Sequence, residues 1–372
     1  MTCELSQYAA HLRELIGQGD LSPGTFNPLA LELFALQFQH NLPYRKFCEA
    51  RRVTPLTATH WSQIPALPAA ALKEGQLTCL APAERTRVFH SSGTTEQRPS
   101  RHFHCAESLA VYEASLLQWF GRHRGVARSL LMLTPPANQV PHSSLAHMFN
   151  AIRLHDGLPE SVFVGQLDRG GDWQVNFTAA IRGLEWAEET GEPLFILGTA
   201  FSFVHLLDEL VKQERRFRLP FDSAALETGG YKGRSRTLSK AELHALISDR
   251  LGISSSHIVC EYGMSELSSQ AYDRGLGDEW RGACNVESPR HPAPGTRHFL
   301  FPPWARAQIT SPETGREVAD AETGLLRIFD LANVGSVLAI QTEDLAIRRG
   351  DGFELLGRAQ LAEPRGCSLL AV

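Results

Sequence analysis

Apolar residues recurring every three to four positions predict helices over residues 6–16 and 28–52, with Pro28 near a helix start and Pro43 interrupting the second stretch. Leu33, Phe34, Leu36, Phe38 and Tyr44 make that second stretch aromatic-rich, which reads as a core-facing stripe. Pro55, Pro65 and Pro68 break up the connector that follows, a short helix is expected over 69–74, and a strand over 86–89 leads into a polar loop. Beyond that loop the pattern alternates. A helix over 109–122 precedes an apolar run at 129–134 that reads as a buried strand ending at Pro135-Pro136, and His142, Ser143 and Ser144 lead into another helix. Residues 193–197 read as a strand, Gly198-Thr199 as a turn and 201–217 as a helix, with further strands at 224–227 and 258–260. A stretch rich in proline and turn formers over 289–303 then gives way to short strands at 306–310, 324–329 and 337–342.

Strands alternating with helices predict an α/β architecture whose ligands sit at the carboxyl ends of parallel strands, followed by a small β-rich subdomain. We divide the chain into a helical region packing on the core (1–86), an α/β nucleotide-binding core (87–288), the β-rich part (289–358) and a short tail (359–372). Its 372 residues, 43% of them hydrophobic, suffice for a substantial core. A formal charge of −5 without a long basic run gives no support to nucleic-acid binding. Seven cysteines, an odd number with no Cys-x-x-Cys pair, argue against a disulfide framework and a zinc ribbon, and point to a reducing compartment. No apolar run reaches the eighteen or so residues of a membrane span, and no signal peptide opens the chain, so the expected location is the cytoplasm.

The chemistry concentrates in the loops. Ser91, Ser92, Gly93, Thr94 and Thr95 set four hydroxyls around a glycine, close to Arg98 and Arg101, a composition suited to wrapping a polyphosphate with N–H and hydroxyl groups, and equally to a plain hairpin turn. Gly229, Gly230 and Tyr231 follow one strand, and Glu261, Tyr262, Gly263, Met264, Ser265 and Glu266 run out of another. Paired glycines let backbone approach a flat ring on which Tyr231 or Tyr262 stacks, unless they form a tight turn beside a core tyrosine. Asp344 offers a carboxylate for two ribose hydroxyls, with a surface hairpin as the rival reading. No Walker loop is present, which removes support for a P-loop kinase or ATPase. His102 and His104 share a strand face with no third ligand in evidence, so a metal site there is rejected. His142 to Leu145 and Gly198 to Phe203 fall where substrate loops would lie, though their residues also suit a core.

The hydroxyl-rich loop, Gly229-Gly230-Tyr231-Lys232-Gly233-Arg234, Glu261-Tyr262-Gly263-Met264-Ser265-Glu266 and the ending Glu363-Pro364-Arg365-Gly366-Cys367-Ser368-Leu369 together resemble the acyl-protein synthetase (LuxE-like) family of the adenylate-forming superfamily. The resemblance spans residue 87 to the end of the sequence. It implies a large domain of mostly parallel sheets flanked by helices, with the usual mobile C-terminal domain largely absent. It also implies that residues 91–95 hold the ATP phosphates, that Gly229 to Tyr231 and Tyr262 line the adenine pocket, and that Ser265 and Glu266 reach the phosphate and Mg²⁺. Asp344 takes the ribose, Arg358 approaches the nucleotide, and Cys367 carries the acyl group as a thioester, with Arg365 favouring its thiolate.

Two departures from the superfamily pattern stand out. Glu96 and Arg98 occupy the place of its usual Gly and Lys, leaving Arg98 or Lys232 as the cation for pyrophosphate. The sequence runs fourteen residues past Arg358, with Gln360 where relatives have a hinge carboxylate or lysine, so no residue is assigned to the lysine of their C-terminal domain. The activity that the resemblance implies is ATP-dependent activation of a small carboxylic acid of the fatty class, then transfer to Cys367 for a protein acceptor such as a reductase or carrier protein. Coenzyme A or a carrier protein as direct acceptor, a non-catalytic nucleotide-binding subunit and a phosphotransferase are the rival readings.

Overall fold

The computed structural model describes residues 1–19, 21–91, 98–123, 129–157, 160–231, 233–273 and 297–359. Helices α1 (Cys3–Gly17), α2 (Pro23–His40) and α3 (Leu42–Ala50) open the chain. In α1 the three-and-four spacing places Leu5, Tyr8, Ala9, Leu12 and Ile16 on one buried face. Pro28 does not begin a helix as its position suggested. It lies inside α2, which starts at Pro23, where a ring near the helix start costs one backbone hydrogen bond that packing can offset. The break expected at Pro43 is real: Asn41 ends α2 and caps α3, its Oδ1 accepting from the Tyr44 N–H at 3.3 Å.

These helices are fastened to distant chain by buried amides. The Gln37 side chain donates to the Asn333 carbonyl at 2.8 Å and accepts from the Leu338 N–H at 2.8 Å, while Asn41 donates to the Ser336 carbonyl at 3.3 Å. Truncating Gln37 leaves the buried Leu338 N–H without this acceptor and takes one of two donors from the Asn333 carbonyl, which keeps the Ser336 N–H at 3.2 Å. Gln37→Ala is therefore expected to lower unfolding stability by about 1–3 kcal/mol, read as a lower urea midpoint at unchanged slope.

The strands are β1 (Leu67–Pro68), β2 (Arg87–His90), β3 (Arg101–His104), β4 (Ser129–Met132), β5 (Val162–Phe163), β6 (Gly165–Leu167), β7 (Trp173–Val175), β8 (Leu194–Thr199), β9 (Ala224–Thr228), β10 (Ile258–Tyr262), β11 (Ala271–Asp273), β12 (Phe299–Leu300), β13 (Ala305–Thr310), β14 (Thr323–Asp330), β15 (Ala339–Arg349) and β16 (Gly352–Arg358). The remaining helices are α4 (Ala71–Glu74), α5 (Ala106–Phe120), α6 (Ser144–Asp156), α7 (Phe177–Thr190), α8 (Ala200–Lys212) and α9 (Lys240–Leu251). Among the described residues twelve strands form one sheet. On one side β5, β4, β8, β9 and β10 run parallel, and on the other β11, β12, β16, β15, β14 and β13 run antiparallel, with β1 added beside β15. The β-rich segment thus continues the central sheet through β16, β12 and β11.

Two local expectations are corrected. Gly198-Thr199 is the end of β8 and no turn: a Cβ at Gly198 would stand 3.0 Å from the Leu133 side chain, so glycine here permits close packing of strands. The helix expected over 201–217 stops at Lys212, and Phe217 lies in an extended segment whose N–H bonds the Arg250 carbonyl. The parallel strands are apolar on both faces, as Leu194–Leu197 shows, because helices cover both sides. Among the described residues no helix is long and apolar enough to cross a membrane.

Candidate active site

The β2–β3 pair and the residue before β3 meet the segment Ser265–Glu266 that follows β10. Ser91 and Ser100 adjoin that pair, the Ser100 N–H donating to Ser91 Oγ at 2.9 Å. Ser100 Oγ then donates to Glu266 Oε1 at 2.6 Å across 166 positions of sequence. One strand position further, His102 Nδ1 lies 2.9 Å from the Ser265 carbonyl. Burial pushes the His102 imidazole down to about 4, against a smaller opposing effect of that hydrogen bond. It is neutral at pH 7, and with a carbonyl as partner its Nδ1 must carry the proton. His102 and His104 are both buried with their rings 4.3 Å apart, and neither belongs to any group of metal-ligating side chains found among the described residues.

Glu266 is buried, accepts from Ser100 on one oxygen and from Ser265 Oγ at 3.4 Å on the other, and its carbonyl is held by Asn333 Nδ2 at 3.1 Å. The next turn is fixed by Asp330, whose carboxylate accepts from the Ser268 N–H, the Ser269 N–H and Ser269 Oγ at 2.9, 2.8 and 2.7 Å. Burial nevertheless raises the Asp330 carboxyl to about 6, because these donors and the Ala332 N–H at 3.0 Å do not fully replace lost water.

Parallel pairing of β9 with β10 sets Thr228 opposite Glu261. Thr228 Oγ1 donates a short hydrogen bond to the Glu261 carboxylate. Burial raises Glu261 to about 7; the Thr228 bond opposes this and the neighbouring Glu227 charge adds to it. The ordinary value is 4.5, so between pH 4.5 and 7 the unfolded chain loses this proton while the folded protein keeps it. Stability is full below that window and falls across it, by about 3 kcal/mol. Glu261→Gln is expected to remove this part of the pH dependence, seen as a smaller fall in urea midpoint between pH 4.5 and 7 than in the wild type. Gly263 belongs to the same arrangement, since a Cβ there would overlap Glu261 Oε1.

Tyr262 packs against Phe299, Phe301 and Phe353, with ring centroids 5.6–6.3 Å away. Its hydroxyl donates to Asp344 Oδ2 at 2.7 Å and lies 3.6 Å from Met264 Sδ. Arg358, opposite Asp344 in the β15–β16 pair, brings Nε to 3.5 Å from the other carboxylate oxygen. Asp344 therefore already holds one tyrosyl hydroxyl, with lone pairs left for more. Gly229 has φ of +67°, both Gly229 and Gly230 have open space where a Cβ would be, and Tyr231 is half-buried against the apolar core that includes Leu243 and Ile247 of α9. Arg234 closes this loop, pairing with Asp172 at 3.0 Å and giving its carbonyl to His205. Arg98 is exposed. Ser92, Gly93, Thr94, Thr95, Lys232 and Cys367 lie outside the described residues.

Two contributors escaped the motif reading. Ser100 stands one residue before β3, and a lone serine carries no signal. His102 was weighed only as a metal ligand; its signal was a pair of histidines two apart on a strand, which sets both on one face.

No family model matches the chain. Its fold is that of the adenylate-forming enzymes: an open conformation of 2-hydroxyisobutyryl-CoA ligase in complex with 2-HIB-AMP and CoA superposes with a TM-score of 0.64, covering 89% of this chain and 73% of that one at 12% identity. A structure of the same ligase in the thioesterification state gives 0.63 over 94% of this chain and 68% of that one, at 13% identity. In sequence the chain is similar to the long-chain-fatty-acid–luciferin-component ligases. It is 22% identical to that of Aliivibrio fischeri over 359 residues, covering 92% of this chain and 86% of the relative, and 21% identical to that of Vibrio harveyi over 347 residues, covering 90% and 84%. The resemblance to acyl-protein synthetases drawn from the motifs is borne out by these relatives.

Proposed function

We propose that the protein activates a carboxylic acid, of the fatty-acid class its relatives are named for, by ATP-dependent adenylation, and then takes the acyl group onto Cys367 as a thioester for delivery to a partner protein. The observation that carries this reading is the attachment of Ser100 and His102 to Ser265 and Glu266 by hydrogen bonds. It brings Ser91 and Ser100, the residues on either side of 92–97, against the Tyr-Gly-Met-Ser-Glu segment that follows β10, near the place where open α/β sheets bind ligands.

A carboxylate is a poor electrophile at neutral pH. Its oxygen attacks the α-phosphorus of ATP, the bond to the β-phosphate bridging oxygen breaks, and pyrophosphate leaves. The Cys367 thiolate then attacks the acyl carbon of the mixed anhydride and AMP departs. Glu266 is a hard oxygen donor suited to Mg²⁺, which typically binds through one or two carboxylates plus substrate phosphates; bound there, the ion would offset triphosphate charge. The chain's own groups position the reactants. Ser100 fixes the Glu266 carboxylate, neutral His102 holds the Ser265 backbone, Tyr262 orients Asp344 for the ribose, and Gly229-Gly230 leaves room beside Tyr231 for a flat ring. Arg98 or Lys232 meets the leaving pyrophosphate and Arg358 the nucleotide. The nine residues from Arg358 to Cys367 span up to about 30 Å when extended, enough to carry a thioester from the site to a reductase or carrier protein. All five described cysteines are free, which fits a reducing, cytoplasmic setting.

A panel of acids of increasing chain length, scored by ATP–pyrophosphate exchange and then by mass spectrometry of the protein, tests the proposal. The expected result is exchange with at least one acid, AMP as product and a mass increase of one acyl group. ADP as product, or no exchange with any acid, overturns it.

A further inference from the structure

Three side chains without a part in the adenylation chemistry converge behind the candidate site. In the register of β9 and β10, Cys260 lies opposite Glu227, and both point to the face opposite Thr228 and Glu261. Helix α9 covers that face and brings in His244. The three are buried, at 6% exposure for Glu227, 7% for His244 and 2% for Cys260. Cys260 Sγ is 2.8 Å from Glu227 Oε1 and 3.5 Å from His244 Nε2, and His244 Nε2 is 3.5 Å from Glu227 Oε1. A carboxylate, an imidazole and a thiol under a helix are an expensive set to bury merely to bond one another.

We infer that Glu227, His244 and Cys260 form a binding site for a borderline-soft divalent cation of the zinc type, tying α9 to the ends of β9 and β10. Bonds of about 2.0–2.3 Å to nitrogen, oxygen and sulfur in a tetrahedron give ligand–ligand edges of about 3.4–3.6 Å. Two of the three separations already have that length. The third is a thiol-to-carboxylate hydrogen bond, and it lengthens by about 0.7 Å when the metal replaces the thiol proton, which passes to solvent. The sulfur is held in place through its own backbone: the Cys260 N–H donates to Asp273 Oδ1 at 2.7 Å, and Arg297 pairs with Asp273 at 3.0 Å while donating to the Ile258 carbonyl at 2.8 Å. Lys240, an exposed residue at the first turn of α9, reaches the same thiol with its ammonium. In the metal-bound form it gives way to a water as fourth ligand, an arrangement of three protein donors and one solvent donor that zinc commonly adopts. Mixed sulfur, nitrogen and oxygen donors favour zinc over magnesium or calcium. The site is distinct from Glu266 and independent of the adenylation reading.

The test uses the full chain, stripped with a chelator and titrated with Co²⁺ as a spectroscopic substitute. The expected result is thiolate-to-cobalt charge-transfer absorption with tetrahedral visible bands, saturating at one equivalent, reversed by Zn²⁺ and accompanied by proton release. Cys260→Ser should abolish the charge-transfer band, His244→Gln should weaken binding at least tenfold, and Cys367→Ser should leave both signals intact. If Cys260→Ser does not fold, Glu227→Gln serves in its place, with a weakening of at least tenfold expected. Absence of the band in the wild type, or its persistence in folded Cys260→Ser protein, overturns the inference and leaves the three as a hydrogen-bonded trio.

Discussion

Cys367→Ser protein is expected to retain ATP–pyrophosphate exchange while losing the acyl label that neutral hydroxylamine releases from the wild type. Under the proposed function the two half-reactions fall to separate parts of the chain: adenylation to residues 91–100, Ser265, Glu266 and Asp344, and retention of the acyl group to a thiol in the tail. A serine hydroxyl is almost wholly protonated at neutral pH and is a far weaker nucleophile than a cysteine with partial thiolate character, so transfer should fall below detection. Labelled acid with MgATP, followed by a comparison of exchange and protein-bound label, provides the measurement. Label persisting on the mutant would remove Cys367 from the carrier role. A wild type that never labels, but passes its acyl group to added coenzyme A or carrier protein, would establish the direct-acceptor reading instead.

Glu266→Gln should reduce pyrophosphate exchange by about 10²-fold or more while the fold persists, because the side chain keeps its shape and its bond from Ser100 but loses its charge. Ser100→Ala makes the contrast. It leaves the carboxylate and removes the 2.6 Å bond that orients it; a hydrogen bond to a charged group is worth about 1.5–3 kcal/mol, so a loss of about 10–100-fold is expected. Folding of both variants is checked by their urea midpoints, and exchange by the folded Glu266→Gln protein at the wild-type rate would withdraw the assignment. A Ser100→Ala defect that shrinks at high Mg²⁺ would indicate that the bond serves cation affinity more than chemistry.

Much of the parallel half was legible because its strands are continuous apolar runs between amphipathic helices, and periodicity records burial on both faces. Helices 1, 3, 5 and 6 were visible for the same reason. Helices α7 and α9 were not anticipated, although Ala180, Ile181, Leu184 and Ala187 of α7 keep a helical spacing, and strand β5 and the β6–β7 hairpin were not because their two- and three-residue strands are too short for any period to show. Strand β3 inverts the ordinary expectation. His102 and His104 face the core at 1% exposure, whereas Phe103 stays partly exposed beneath the guanidinium groups of Arg85 and Arg101, 4.8 and 5.8 Å from its ring centre. Hydropathy ranks phenylalanine as the inward residue; the polar partner waiting at the Ser265 carbonyl reverses that ranking, because an imidazole with a bonded N–H can be buried cheaply.

By itself the sequence determined the class of chemistry: hydroxyls around Gly93, the Gly229-Gly230 pair, Tyr262 to Glu266 and the tail cysteine are local patterns, legible wherever they fold. Tertiary structure alone decided how they combine. That Ser100 bonds Glu266, that Tyr262 shares Asp344 with Arg358, and that Glu227, His244 and Cys260 meet beneath α9 each depend on strand register and on pairings across fourteen to 166 positions. Such contacts leave no periodicity in the chain, since the partners are brought together by closing the sheet and packing a helix on it, and not by their spacing in sequence.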